Sequence, residues 1–255
     1  MRNKKDLGNV CLEVKNWSAY DPSLGREILH DINIDVKKGE IVGISGLMGA
    51  GRTELALSIF GNPRGYKTDG ELYINGKPVS YRHTSHALKD GLAYVTEDRK
   101  GDGLILIQDI KSNITLANLK ALSRCGVIDV NKEVKDANEY KDSVNIKTPS
   151  IEQVVENLSG GNQQKVSLCK SLFVLPSILI LDEPTRGIDV GAKYEIYTIM
   201  NRLVDEGMSI IMISSDLLEV IGMSDRIYVM AEGKITGEIE AKDATEEKIM
   251  EAATI

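Results

Sequence analysis

An apolar run, Ile41 to Ile44, leads through Ser45 into Gly46-Leu47-Met48-Gly49-Ala50-Gly51-Arg52-Thr53 and then into the helix-like stretch Glu54 to Phe60. A strand that turns through three glycines directly into a helix has few folds open to it. The glycines let backbone N–H groups turn inward around an anion, and the helix N-terminus adds positive potential. The Thr53 hydroxyl is then placed to ligate magnesium. One position departs from the usual phosphate loop: its lysine is Arg52, a longer planar fork rather than a point charge. Such a loop favours nucleotide binding over fast catalysis. Taken alone, it leaves open an ordinary Gly-rich strand-to-helix turn.

A second element narrows the choice. Ile178 to Leu181 reads as a buried strand and ends in Asp182-Glu183, two carboxylates at the end where a parallel sheet presents its ligands. Asp182 is the candidate to hold magnesium and Glu183 the candidate to polarise an attacking water. Between the two motifs lies Asn157-Leu158-Ser159-Gly160-Gly161-Asn162-Gln163-Gln164-Lys165. Here Ser159 can cap a helix while Gly160 and Gly161 expose backbone N–H groups, a second anion-binding helix start. Solvated acids at a strand end and a capped helix are the plain readings of each piece. Together the three point to a nucleotide triphosphatase.

The rest of the chain fits an α/β fold around such a site. Short β-like runs come first, at Val10 to Val14, Ile32 to Val36 and Glu71 to Ile74, the last before a hairpin turn at Asn75-Gly76. From about Asp109 to Leu175 the pattern turns helical and polar, with a break at Lys147 to Ser150. Two buried-strand runs follow, Ile178 to Leu181 and Ser209 to Ile213, separated by a helix with Ile196, Ile199, Met200 and Leu203 on one face and Gly207 as its stop. Strand, helix, strand at this spacing predicts a mostly parallel sheet with right-handed crossovers. A final hairpin turning at Glu232-Gly233 and a short helix after Thr245 complete the prediction.

Composition excludes other classes. The 255 residues carry 31 Lys+Arg against 38 Asp+Glu, a net charge of -7, which argues against nucleic-acid binding. Cys11, Cys125 and Cys169 are far apart and suggest neither a disulfide framework nor a zinc site, consistent with a reducing cytosol. The longest apolar runs fall far short of the about 20 residues a membrane span needs. The basic start Met1 to Lys5 is followed by Asp6 to Asn9 rather than an apolar stretch, so no export signal is read there. His83 and His86 lack a third ligand nearby and read as a surface loop, and the mixed charges of Arg99, Lys100 and Asp102 read as solvated. Lys132 to Asp142 reads as a charged, solvent-facing helix.

With Leu158-Ser159-Gly160-Gly161 between phosphate loop and acidic strand, the chain resembles the ATP-binding domain of ABC transporters over nearly its whole length. The resemblance implies a P-loop NTPase core spanning 8–250, an N-terminal antiparallel β subdomain, an inserted helical subdomain at about 100–172, and ATP with Mg2+ as ligands. It places Tyr20 where the family stacks an aromatic on adenine, with Trp17 as the competitor. Glu97 stands where most members carry a magnesium-touching glutamine, Asp189 in the loop that crosses the dimer interface, and Ser215 where a histidine contacts the γ-phosphate. Arg52, Glu97 and Ser215 together, with Glu97-Asp98-Arg99-Lys100 and Asn162 to Lys165, look like the second half of the double-length ATPases of ribose, galactose and xylose importers. The expectation is an excised C-terminal half on the cytoplasmic face of the membrane. Its Ser159, Gly160 and Gly161 would complete the site of a second ATP-binding domain, and its partners would be transmembrane permease subunits and, indirectly, a sugar-binding protein. The alternatives are a catalytically silent regulatory ATP-binding module and a soluble non-transport ATPase of the same family.

Overall fold

The computed structural model describes residues 7–254; Met1 to Asp6, where the absence of an export signal was read, lie outside them. The chain opens with a long antiparallel hairpin of β1 (Val10–Asp21) and β2 (Arg26–Lys37). Both strands outrun their sequence patterns, because register shifts from Val14 to Ala19 break the period-two alternation by which a strand is recognised. β3 (Ile41–Gly46) feeds α1 (Arg52–Ile59). β4 (Lys67–Ile74) and β5 (Lys77–Val79) are joined by Asn75 and Gly76 at φ of 50° and 74°, the turn an Asn-Gly pair predicts. α2 (Thr84–Lys89) and β6 (Leu92–Val95) follow.

A wide helical turn, Arg99–Gly103, leads into α3 (Ile110–Thr115) and α4 (Leu119–Leu122). A small hairpin, β7 (Ser123–Arg124) with β8 (Val127–Ile128), precedes α5 (Val130–Ser143) and α6 (Gly160–Leu172). The chain then runs through β9 (Ile178–Asp182), α7 (Val190–Asp205), β10 (Ser209–Ile213) and α8 (Leu217–Met223). It closes with β11 (Arg226–Ala231), β12 (Lys234–Glu240) and α9 (Glu246–Ala253). Gly207 at φ 100° ends the passage out of α7, and Glu232 and Gly233, at 47° and 75°, turn the last hairpin as predicted.

By packing, the chain divides into two units: residues 7–94, 177–183 and 200–254, and residues 95–176 and 184–199. The first unit holds two sheets. One is antiparallel in the order β2-β1-β4-β5; the other runs β12-β11-β3-β10-β9-β6, with β11, β3, β10 and β9 mutually parallel. Its core is chiefly aliphatic, with Leu12, Leu29, Ile32, Leu55, Leu92, Ile180 and Met230 fully buried. β9 and β10 are buried at every residue, which is why each reads as an unbroken apolar run rather than an alternation.

The second unit is chiefly helical. α3 packs on α5 and α6 around Ile110, Ile114, Ala137, Val166 and Leu172, and Tyr140 meets Phe173 edge to face at 5.3 Å. Among the described residues no helix is long and apolar enough to cross a membrane.

Candidate functional site: a phosphate loop and an acidic strand end

In the first unit, β3 ends at Gly46, where φ is 155° and a β-carbon would fall 2.3 Å from the Met230 carbonyl oxygen. Only glycine lets the chain pass there. The loop beyond is closed by Ala50 N–H donating to Leu47 O at 3.1 Å. It is propped from behind: Gly233 N–H donates to Ala50 O at 3.0 Å, and Gly233 O accepts from His30 at 2.8 Å. Gly51, at φ 96°, starts α1, and Met48 stands at the exposed tip. The segment Gly46, Leu47, Met48, Gly49, Ala50, Gly51, Arg52, Thr53 thus forms the strand–loop–helix that its sequence predicts.

Parallel pairing of β3, β10 and β9 brings the acidic strand end beside that loop. Asp182 is fully buried; its Oδ2 accepts the Tyr94 hydroxyl at 2.9 Å and its Oδ1 has no hydrogen-bond partner among the described residues. Burial pushes its acid above the ordinary value, while the Thr53 and Tyr94 hydroxyls pull it back. A buried carboxylate oxygen without a donor, next to a threonine hydroxyl, suits a hard cation with oxygen ligands. Asp182 and Thr53 would therefore hold magnesium, which when bound neutralises phosphate charge.

Glu183 adopts a left-handed backbone, φ 47°, with its N–H donating to Ile213 O at 2.8 Å. Such a conformation costs a non-glycine residue about 1 kcal/mol or more and aims the side chain off the strand line. Its Oε1 lies 3.6 Å from Arg52 Nη1, and its Oε2 accepts the Ser215 hydroxyl at 3.1 Å. Arg52 and Glu183 are only 10% and 11% exposed, so water screens the pair weakly. Arg52, Asp182, Glu183 and Ser215, drawn from distant stretches of sequence, are therefore one constellation.

Beside Thr53 a cavity of 330 Å³ is lined by Glu54 and Leu57 of α1 and by Asp21, Arg64 and Tyr66. Tyr20 does not line it: its ring lies 5.7 Å from the Lys67 ammonium at the end of β1. Trp17 is buried in the core and donates from Nε1 to Ser58 Oγ at 3.0 Å. Tyr66, which no motif marks, is the aromatic at this cavity.

In the second unit Ser159 caps α6, its Oγ accepting Asn162 N–H at 3.4 Å. Gly161 faces Ala192 so closely that a β-carbon would come within 2.5 Å of the Ala192 Cβ; Gly160 precedes it at the helix start. Asp189 caps α7 through Ala192 N–H at 3.0 Å. Glu97 is paired with the Arg186 guanidinium. Arg99, read from sequence as solvated, is instead half-buried and donates to backbone carbonyls, because the helical turn it starts points it inward.

The chain is 57% identical over 249 residues to the L-arabinose transport ATP-binding protein AraG of Geobacillus stearothermophilus, covering 97% of this chain and 48% of that protein. It is 53% identical to the xylose import ATP-binding protein XylG of Thermoanaerobacter pseudethanolicus over 99% of this chain and 50% of that protein. It is 50% identical to the ribose import ATP-binding protein RbsA of Clostridium perfringens over 96% and 48%. The chain thus spans about half the length of these curated relatives. In fold it matches a nucleotide-free ATP-binding cassette from an ABC transporter, with TM-score 0.80 and 19% identity over 97% of this chain and 96% of that one. It also matches the dimeric post-hydrolysis state of an ATP-binding cassette bound to ADP and phosphate, with TM-score 0.76 and 22% identity over 90% and 98%. The family model for ABC transporters matches residues 29–186, and with the phosphate loop and acidic strand end in place, the chain belongs to the ABC transporter family.

Proposed function

We propose that this chain is an ATP-binding segment that energises import of a monosaccharide through a membrane permease, and that its own ATP site binds more than it cuts. The observation that carries the second part is the pairing of Glu183 with Arg52 and Ser215. A carboxylate that is to take a proton from water must be free to face that water. Here one oxygen is held by a cation and the other by a hydroxyl. Sugar import is supported by the names of the relatives, which transport or import arabinose, xylose and ribose.

In this reading ATP and Mg2+ occupy Gly46 to Thr53 with Asp182, while Ser159, Gly160, Gly161 and Asp189 complete the site of a second ATP-binding domain. Glu97 holds the position of the family's glutamine that touches magnesium and senses the membrane partner, and Ser215 that of the histidine that contacts the γ-phosphate. The assembly works at the cytoplasmic face of the membrane, with a sugar-binding protein delivering the substrate. The test is a MgATP titration of the purified chain beside a steady-state phosphate-release assay. Tight binding with almost no release supports a degenerate site; brisk release abolished by Glu183→Gln overturns it.

A further inference from the structure

The wide turn Arg99–Gly103 has no part in the phosphate chemistry described above, yet it is firmly built in. Asp98 caps it, Oδ1 accepting the N–H groups of Lys100 and Gly101 at 3.1 and 2.9 Å. At the other end Lys170 of α6 donates from Nζ to Gly103 O at 2.7 Å. Between these anchors the Arg99 guanidinium reaches the loop that precedes α7. Nη1 donates to Arg186 O at 2.8 Å and Nη2 to Gly187 O at 3.4 Å. A β-carbon on Gly160 would stand 3.0 Å from that same Nη2 and 3.3 Å from Gly187 O. One planar fork thus touches two successive carbonyls and the first residue of α6.

Charge pairing does not explain this placement. A cation at a helix N-terminus meets the positive end of the dipole, which opposes it. The two carbonyls explain it, and they need the geometry of a guanidinium: an ammonium is a point donor that cannot span both in the same way. The surrounding contacts hold the same segments together. Glu97 pairs with the side chain of Arg186, and Lys165 of α6, 1% exposed, pairs with Glu195 of α7 at 2.5 Å.

We infer that Arg99 is a positioning residue that clamps the loop Arg186 to Asp189 onto the first turn of α6, presenting Ser159, Gly160, Gly161 and Asp189 as one preformed surface to a second ATP-binding domain. The inference rests on the proposed role of those residues in a partner's site, and it assigns what holds them in register.

The test compares wild type, Arg99→Ala and Arg99→Lys in the full chain by amide hydrogen exchange, by ATP affinity of the chain's own loop, and by MgATP-dependent association of two copies in sedimentation. In both variants exchange at 186–189 and 160–162 is expected to rise about tenfold or more, as for a locally released segment, with α1 unchanged. ATP affinity stays within about twofold, while association weakens about tenfold, and lysine fails to rescue because it cannot bridge both carbonyls. Unchanged exchange at 186–189, full rescue by lysine, or loosened exchange with undiminished association overturns the clamp. A wild type that does not associate with MgATP shows that a second copy is not the partner; the exchange arm then still decides for or against the clamp.

Discussion

The Arg52 guanidinium and the Glu183 carboxylate face each other across 3.6 Å, both almost wholly buried, where the glycine loop meets the acidic strand end. A phosphate loop needs its cation on the phosphates, and a general base needs its carboxylate on water; here each occupies the other. Arg52→Lys substitutes a shorter side chain with a compact charge, which frees Glu183 and can sit between phosphates. Phosphate release by the purified chain is expected to rise about tenfold, with ATP affinity changing less than that. An unchanged rate would show that this pair is not what restrains the site.

Asp182 carries a proton-linked consequence. Its folded-state acid lies above the ordinary value because of burial, so the protonated form favours the fold and its contribution is lost as pH rises through that raised value. Asp182→Asn removes the buried charge. Without nucleotide, its melting temperature is expected to exceed that of wild type by about 2–4 °C at neutral pH, the gap closing toward pH 4. Magnesium with ATP should raise the melting temperature of wild type and leave the variant nearly unmoved. A gap that widens on acidification would refute the assignment.

The parts of this fold that are local were legible beforehand. The strand–loop–helix at Ile41 to Phe60, the strand ends at Asp182 and Ile213, and the turns at Asn75 and Glu232 each depend on neighbours in sequence. What was not legible depends on residues far apart. Arg99 and Arg186 are 87 positions distant, so one arginine of a charge run reaches backbone carbonyls, while its neighbours Lys100 and Asp102 are exposed as read. Arg52 and Glu183 were legible as two motifs but not as a pair. The hairpin of Ser123–Arg124 and Val127–Ile128 was missed for a different reason. Its turn residues, Cys125 and Gly126, take φ of 51° and 81° as such a turn needs, but Cys-Gly is not a pair that marks a hairpin in sequence, and the flanking strands have two residues each and show no alternation.

Two glycines of the phosphate loop separate steric need from backbone need. A β-carbon at Gly46 meets a backbone carbonyl at 2.3 Å that no rotamer change can relieve, whereas one at Gly49, φ 81°, meets nothing within 4 Å. Gly46→Ala is expected to cost about 3 kcal/mol in urea unfolding and to abolish ATP binding. Gly49→Ala should cost about 1–2 kcal/mol, the strain of a left-handed residue alone. Equal costs at the two sites would mean that the loop relaxes away from Met230.

Remote from the nucleotide, Arg226 ties three strands of the first unit together. Its guanidinium donates to Glu40 at 3.0 Å, to Asp35 at 2.9 Å and to Glu238 at 2.7 Å, and Nη1 also donates to the Tyr228 hydroxyl at 2.8 Å. Arg226 and Glu40 are buried, with side chains 6% and 1% exposed, while Glu238 is at the rim and contributes little. Arg226→Met leaves Glu40 as a buried charge without its cation, an expected loss of about 3–5 kcal/mol at pH 7. Pairing it with Glu40→Met should restore much of that, since replacing both partners removes the uncompensated charge. The pH dependence follows from Asp35, whose acid is held below the ordinary value by its hydrogen bonds from Arg226. That contribution is present above the ordinary carboxylate range and lost as pH falls through the lowered value, below about pH 4. Urea midpoints between pH 3 and 7 should therefore fall more steeply on the acid side in wild type than in Arg226→Met. Parallel curves would show that Asp35 does not report on this guanidinium.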